Sequence, residues 1–398
     1  MVLVVQGVLL MIHRSLSMHK IQEIFHTSYN AYCNHYNPRI EQHKAALSIL
    51  HCKSGRLGCN ISICEECGHL ETHHNSCRNR NCPCCQAVPK ELWIDARKAE
   101  VIDSPYFHVV FTLPAELNPL IYENQALLYS TMHKCASETL LEVSADKKYL
   151  GATPGIIQVL HTWGQELNFH PHIHCIITGA GLTKNRQLRK SRRSFFIPVK
   201  VLGKTFRGKF LNRLQSLYEQ KKLSFSKTCR VFKNSYEWNE FRNSLYHKTW
   251  IPYIKETFNG FGNAIDYLGR YTHRIAISNS RIQSVTSTHV TFTANDYKTG
   301  EQKEITLSTI EFIRRFLMHV LPTGFQKIRY YGFLNNRSKK KNLKLIVALT
   351  GKELFQSKFR SMSLDELLLA LWNINVHLCR ECGCCSMRHA GRAYYLRN

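Results

Sequence analysis

The chain has 398 residues, 44% of them hydrophobic and 11% aromatic, which excludes a disordered protein and allows two or three globular domains. Lysine and arginine number 54 against 28 acidic residues, and the net charge of +26 argues against a cationic ligand. The charge favours a polyanion such as nucleic acid, although a solubilising surface or a ribosome-type scaffold would also explain it. The apolar residues 1–12 are too few to cross a membrane and lack signal-peptide flanks, so we expect a cytoplasmic protein without membrane contact. Helical periodicity begins near Met18, which is a candidate for the true first residue of the protein.

Hydrophobic patterns then predict alternating helices and strands. Residues 106–113, 155–163 and 170–178 are rich in β-branched residues and predict strands. A short polar stretch separates the last two strands and predicts a hairpin. The other predicted elements are, in chain order, helices over 18–50, 91–101 and 119–141, a basic loop over 184–200, a helical region over 206–253, a small β unit over 285–307, a basic helix over 311–321 and a charged run over 337–344.

Most of the sixteen cysteines are clustered, which favours zinc in a reducing compartment over disulfides. Cys64 and Cys67 form one CxxC motif, and after fourteen intervening residues Cys82 and Cys85 form another. Two such motifs can place four thiolates around Zn²⁺ at about 2.3 Å. We therefore predict a structural zinc site made by these four cysteines. The residues left over for a second site are Cys52, Cys77, His73 and His74.

A pair of histidines stands on one predicted strand. His172 and His174 are two residues apart, so both point to one face. Two imidazoles on one face can bind a divalent ion and leave positions open for substrate oxygens, but paired histidines also occur simply as surface residues. A third ligand must come from elsewhere, and Gln165 and Glu166 in the preceding turn are the nearest candidates.

A pair of tyrosines stands on a predicted helix. Tyr267 and Tyr271 are four residues apart, so they share one helix face. Tyrosines at this spacing are usually packing residues. The cationic neighbours Arg270, His273 and Arg274 could instead stabilise a phenolate and hold a phosphodiester, which would make the pair nucleophiles.

Five motifs together resemble those of the insertion-sequence 91 family of transposases, which are two-tyrosine members of the HUH (His-hydrophobic-His) endonuclease superfamily. The resemblance extends from about residue 20 to residue 332. The motifs are SCRNRNCPCCQ at 76–86, VVFTLP at 109–114, HTWGQELNFHPHIHC at 161–175, YLGRYTHRIAISNSRI at 267–282 and FIRRFLMHVLPTGFQKIRYYGF at 312–333. One feature departs from the family pattern: Cys84 is an extra thiol between Cys82 and Cys85. The terminal pair Cys379 and Cys382 resembles a terminal knuckle of some relatives, but no clear second pair completes it.

The resemblance implies an α+β fold in which an antiparallel-sheet nuclease core is flanked by helices, preceded by a small zinc-binding module and followed by a mixed C-terminal region. We expect a zinc-binding N-terminal domain over residues 18–100, the endonuclease domain over 101–284 and a basic C-terminal region over 285–398. By resemblance, His172 and His174 are the metal-binding pair, and Tyr267 and Tyr271 are the nucleophiles. The third ligand, Gln165 or Glu166, stays open.

The implied activity is rolling-circle-like transposition. With Mg²⁺ or Mn²⁺ on the two histidines, a tyrosine would attack single-stranded DNA and form a 5′-phosphotyrosine. Basic loops and aromatics such as Phe195 and Phe196 would hold DNA at the element ends and the target. The alternatives are a zinc-dependent DNA-binding regulator without catalysis and an RNA-binding protein. The regulator leaves the histidine and tyrosine pairs unexplained, and the RNA-binding protein would be equally basic.

Overall fold

A computed structural model describes residues 2–5, 8–11, 19–191, 197–257, 269, 276–296 and 299–394. The strands are β1 (Val2–Val5), β2 (Val8–Met11), β3 (Cys59–Cys64), β4 (Leu70–His74), β5 (Tyr106–Thr112), β6 (Thr153–Trp163), β7 (Phe169–Leu182), β8 (Leu188–Lys190), β9 (Tyr253–Thr257), β10 (Ile282–Val285), β11 (His289–Asn295), β12 (Gln302–Ser308), β13 (Ile328–Gly332) and β14 (Met387–Ala393). The α-helices are α1 (Lys20–His35), α2 (Ile40–His51), α3 (Ala87–Lys98), α4 (Asn118–Glu123), α5 (Gln125–Ala145), α6 (Val199–Glu219), α7 (Ser235–His247), α8 (Thr309–Met318), α9 (Lys339–Thr350) and α10 (Leu364–Trp372).

The described residues divide into two compact units, each built from separated stretches of chain. The cysteine unit comprises Met1–Ala96, His273–Val320 and Ser357–Asn398, and the large-sheet unit comprises Arg97–Thr272 and Leu321–Gln356. This division differs from the three consecutive regions expected from the sequence. The reason is that β13 and β14, both in the expected C-terminal region, pair with strands of different units.

The large-sheet unit is built on an antiparallel sheet with the strand order β13-β6-β7-β5-β9, and β8 pairs with β7. The predicted hairpin is present as β6 and β7, and the predicted strand over residues 106–113 is β5. Nearly every residue of β5, β6 and β7 is buried, which explains why these strands are apolar runs rather than alternating patterns. The α+β class with antiparallel sheets is confirmed.

Helices cover one face of this sheet. Phe111 of β5 packs against Phe206 of α6, with ring centroids 4.6 Å apart, and the core continues through Leu128 and Met132 of α5. Ile173, Cys175 and Ile177 of β7 point into the same core. Because side chains alternate along a strand, the intervening residues of β7, His172 and His174 among them, point to the opposite face.

In the cysteine unit, α1 and α2 pack with α8. The rings of Phe25 and Phe316 meet edge to face with centroids 5.5 Å apart, and the hydroxyl groups of Ser28 and Thr309 hydrogen-bond at 2.8 Å. The small sheet β10-β11-β12 contributes Phe292, whose ring meets that of Phe312. The predicted small β unit and the basic helix before Pro322 are therefore both present.

A second small sheet of the cysteine unit has the strand order β14-β3-β4. β14 runs antiparallel to β3, with Met387 opposite Cys64 and Ala393 opposite Cys59. β3 and β4 form a hairpin in which Cys59 lies opposite His74. The sheet therefore joins two segments that lie far apart in the chain.

Candidate functional site

Three histidines converge on the face of the large sheet that points away from the helical core. His161 of β6 lies directly opposite His172 of β7, and His174 follows two residues along the same face. One ring nitrogen from each histidine lies within 4.8 Å of the others. His161 and His174 are buried and His172 is partly exposed, so the group lies at the sheet surface with one accessible side chain.

The ring orientations leave nitrogen lone pairs available to a metal ion. The Nδ1–H group of His172 donates to the carbonyl oxygen of His170 at 2.7 Å, so Nε2 carries the lone pair. This Nε2 atom lies 3.1 Å from Nε2 of His174. Two ligands at right angles and about 2.1 Å from one ion would be about 3.0 Å apart. The residues present therefore fit a divalent cation.

His108 of the neighbouring strand β5 lies on the same face of the sheet and contacts His174. Its Nε2 atom lies 2.8 Å from Nδ1 of His174, and the planes of the two rings are 5° apart. Burial, with a smaller effect of Lys255, lowers the pKa of His108 to about 4, and burial likewise lowers the pKa of His172 to about 4. Both imidazoles are therefore neutral near pH 7, as metal ligation and hydrogen-bond acceptance require.

The sequence analysis missed His161. Its candidates for the third position, Gln165 and Glu166, lie half-buried in the turn between β6 and β7. The group of three contains His161 rather than the carboxylate of Glu166. Gln165 as a further ligand stays a prediction.

A register irregularity explains the omission. Trp163 pairs with Phe169, and a regular hairpin counted from that pair would place His161 opposite Pro171, on the wrong face. A shift between His161 and Trp163 instead places His161 opposite His172. The sequence signal for His161 was its position across the predicted hairpin from His172. That position places the two histidines on one face only if the hairpin contains a β-bulge.

The predicted nucleophiles, Tyr267 and Tyr271, lie outside the described residues, as do their cationic neighbours Arg270, His273 and Arg274. Phe195 and Phe196, expected to stack on bases, lie outside them as well. Their roles stay predictions. Within residues 267–275 the structure describes Gly269 alone, and this glycine is buried.

The cysteines form two groups of four, and neither is the predicted one. The first group consists of Cys52, Cys77, Cys82 and Cys85, and the second of Cys64, Cys67, Cys379 and Cys382. Within the first group, Sγ of Cys85 lies 3.6 Å from that of Cys52 and 3.7 Å from that of Cys77. Each predicted CxxC motif thus forms half of a four-cysteine group, but the two motifs lie in different groups rather than together as predicted.

The two motifs are separated because of the length of β3. Cys64 lies at one end of this strand, and Cys59 at the other end lies beside the segments that carry the first group. There the carbonyl oxygen of Asn75 accepts from the N–H group of Lys53, and the N–H group of Asn75 donates to the carbonyl oxygen of Gly58. The six residues of β3 are separated by five steps of about 3.3 Å, so its two ends lie about 17 Å apart, too far for ligands of one ion. Of the two adjacent thiols in the second CxxC motif, Cys85 and not Cys84 belongs to the first group.

Comparison with known proteins identifies the family to which the chain belongs. Residues 24–113 match the family described as "Transposase zinc-binding domain", and residues 155–342 match that described as "Putative transposase". The chain is 40% identical over 327 residues to "Putative transposase y4qJ" of Sinorhizobium fredii, covering 81% of this chain and 82% of that protein. It is 30% identical over 302 residues to the "Transposase for insertion sequence element IS801" of Pseudomonas savastanoi pv. phaseolicola, covering 73% and 69%. No solved structure matches the chain significantly.

A zinc-binding domain and a transposase domain thus occur in one chain, in that order. The chain belongs to the insertion-sequence 91 family of transposases with an N-terminal zinc-binding domain. Its cysteine groups support structural Zn²⁺. None of the described helices is long and apolar enough to cross a membrane.

Proposed function

We propose that this transposase cleaves and rejoins single-stranded DNA by tyrosine attack at a site organised around His161, His172 and His174. The convergence of three imidazoles at an accessible sheet face supports the proposal most directly. A DNA-binding regulator or an RNA-binding protein would need the positive charge and the zinc, but would leave this group of three histidines without a purpose. The sixteen cysteines and the DNA substrate favour the reducing cytoplasm as the place of action.

The three histidines would hold Mg²⁺ or Mn²⁺. A bound ion would polarise the scissile phosphate and weaken the electrostatic repulsion between the phosphate and the incoming nucleophile. The histidines themselves are neutral imidazoles that offer nitrogen lone pairs, and backbone and side-chain hydrogen bonds hold their rings in place. The carbonyl oxygen of His170 fixes the tautomer of His172. With Nε2 of His174 on the ion, its Nδ1–H group would donate to Nε2 of His108.

Tyr267 and Tyr271 would supply the nucleophiles. The phenol oxygen of one tyrosine forms a bond to phosphorus while the bond from phosphorus to the 3′ oxygen breaks, and that oxygen leaves as a 3′-hydroxyl. The downstream strand then remains attached as a 5′-phosphotyrosine, which conserves the phosphodiester energy. Attack by a 3′-hydroxyl reverses the step and joins strands. With two tyrosines, one site can retain an element end and a target end, as rolling-circle-like transposition requires.

The test is the transfer of label from DNA to protein. We expect full-length protein with Mn²⁺ or Mg²⁺ to acquire label from a 3′-labelled single strand taken from the DNA that flanks the gene. The same strand labelled at its 5′ end should yield a shorter labelled DNA with a 3′-hydroxyl and no labelled protein. The matched duplex and a chelator are the controls. Label transfer from the 5′-labelled strand, or equal transfer from duplex, would contradict the proposed chemistry.

His108 provides a second test, because it acts through His174 rather than on DNA. Replacing His108 by phenylalanine removes the hydrogen-bond acceptor for His174, and we expect Mn²⁺ affinity to fall about 10–100-fold. Titration followed by the electron paramagnetic resonance of free Mn²⁺ measures this directly. His108→Gln keeps an acceptor at a similar position and should restore most of the affinity. His133→Phe, at a buried histidine paired with Gln158, is the control for a lost core imidazole. Equal affinities in His108→Phe and wild type would exclude the positioning role.

A further inference from the structure

We propose that Cys64, Cys67, Cys379 and Cys382 bind a second structural zinc ion, which fastens the C-terminal segment to the N-terminal zinc-binding module. The two family matches end at residues 113 and 342, so Cys379 and Cys382 lie beyond both. The four cysteines belong to the cysteine unit. They meet at one end of the β14-β3-β4 sheet, and the first cysteine group lies at the other end.

The sulfur distances match a tetrahedral zinc site. Sγ of Cys64 lies 3.6 Å from that of Cys382, and Sγ of Cys67 lies 3.7 Å from that of Cys379. Four thiolates at about 2.3 Å from one zinc ion are about 3.8 Å apart. A disulfide would require about 2.05 Å, so the sulfurs are arranged around a common centre rather than bonded in pairs.

The two halves of the site have the same backbone turn. Each CxxC motif is followed by a glycine with positive φ, +71° for Gly68 and +75° for Gly383. The N–H group of Gly68 donates to the carbonyl oxygen of Cys64 at 2.9 Å, and that of Gly383 donates to Cys379 at 3.0 Å. Two unrelated stretches of sequence thus form matching knuckles, each aiming two sulfur atoms at the same point. This repetition is typical of zinc ribbons.

The sheet that these knuckles join has a small apolar core. In the described part of the chain, its buried apolar residues include two clusters of three, one of them Cys64, Cys379 and Met387. The exposed ion pair between Arg388 and Glu65, with 3.2 Å between Nε and Oε2, adds little in water. Metal binding is how modules this small gain their folding free energy. A zinc ion therefore accounts for the pairing of β14 with β3.

Alkylation of cysteines in the full-length protein tests the site without any substitution. Cys67 and Cys382 are exposed, and so are Cys384 and Cys385, which lie outside both groups. We expect iodoacetamide to modify Cys384 and Cys385 at once and Cys67 and Cys382 at least 10-fold more slowly, as mapped by peptide mass spectrometry. A strong chelator should abolish the difference. If all four exposed cysteines react equally before chelation, the site does not exist.

Zinc content of variants provides the second measurement. The double variant Cys379→Ser with Cys382→Ser should lose one zinc equivalent per chain, whereas the neighbouring double variant Cys384→Ser with Cys385→Ser should lose none. Alkylation of Cys52 and Cys77 monitors the first group, and its continued protection shows that the rest of the zinc-binding domain is folded. Cys382→His, which replaces one zinc ligand by another, should recover the lost equivalent. Equal zinc content in the two double variants would overturn the proposal.

Discussion

Replacing His161 by alanine will abolish metal-dependent cleavage of single-stranded DNA as completely as replacing His172 does. His161 is buried opposite His172 and would supply one of three ligand nitrogens. Loss of a direct ligand should reduce Mn²⁺ affinity by more than the roughly 10–100-fold that outer hydrogen-bond partners cost. DNA binding should persist, because lysine and arginine contacts with phosphates dominate it, and it should weaken steeply as salt increases.

The matched controls are the candidates from the turn, Gln165→Ala and Glu166→Gln. If His161 is the third ligand, these variants should retain most of their Mn²⁺ affinity and cleavage. The ring of His161 stacks on Trp163 with centroids 4.6 Å apart, so the zinc content and thermal unfolding of His161→Ala must be compared with wild type. Normal cleavage by a folded His161→Ala protein would remove this residue from the site. A loss in Gln165→Ala alone would reinstate the candidate from the sequence.

The second large effect concerns the two tyrosines. The double variant Tyr267→Phe with Tyr271→Phe should form no covalent adduct, a fall of at least about 10³-fold, because both nucleophilic oxygens are gone. Each single variant should still form some adduct, since two tyrosines on the predicted helix would lie about 6 Å apart along its axis and could both reach one phosphate. Transposition in cells should fail in both single variants if two strand ends must be held together.

Tyr253 of β9 is the control tyrosine. It is exposed, and its ring centroid lies 6.3 Å from that of His108, so it is close to the proposed site without belonging to the predicted pair. Tyr253→Phe should form adducts normally. Peptide mapping of the wild-type adduct identifies the attacking residue. Adduct formation by the double variant, or an adduct on serine or cysteine, would refute the two-tyrosine mechanism.

Features set by local sequence were predicted correctly. The apolar runs gave β5 and the β6–β7 hairpin, and the alternation of side chains placed His172 and His174 on one face. The third histidine could not be predicted, because a one-residue shift in register moves a side chain to the other face of a strand. That shift depends on how β6 packs in the sheet and has no counterpart in hydrophobic periodicity.

The assignment of cysteines to sites failed for a different reason. The spacing between two CxxC motifs indicates that zinc knuckles are present but does not determine which knuckles share an ion. That choice depends on the pairing of β14 with β3, a contact between residues more than 300 positions apart. Cys52 and Cys77 were expected to belong to a second site, but in the fold they lie with Cys82 and Cys85.

The pairing of Cys64 with Cys382, 318 positions later, also has a consequence for protein synthesis. The first cysteine group can be completed while the ribosome is still translating the remainder of the chain, whereas the second must wait for the last knuckle to emerge. Until then β3 has an open edge, which is prone to aggregation. We therefore expect products of interrupted reading frames to be insoluble or degraded. The position of one metal ligand would thus restrict DNA rearrangement to copies of the gene that are translated through to their last cysteines.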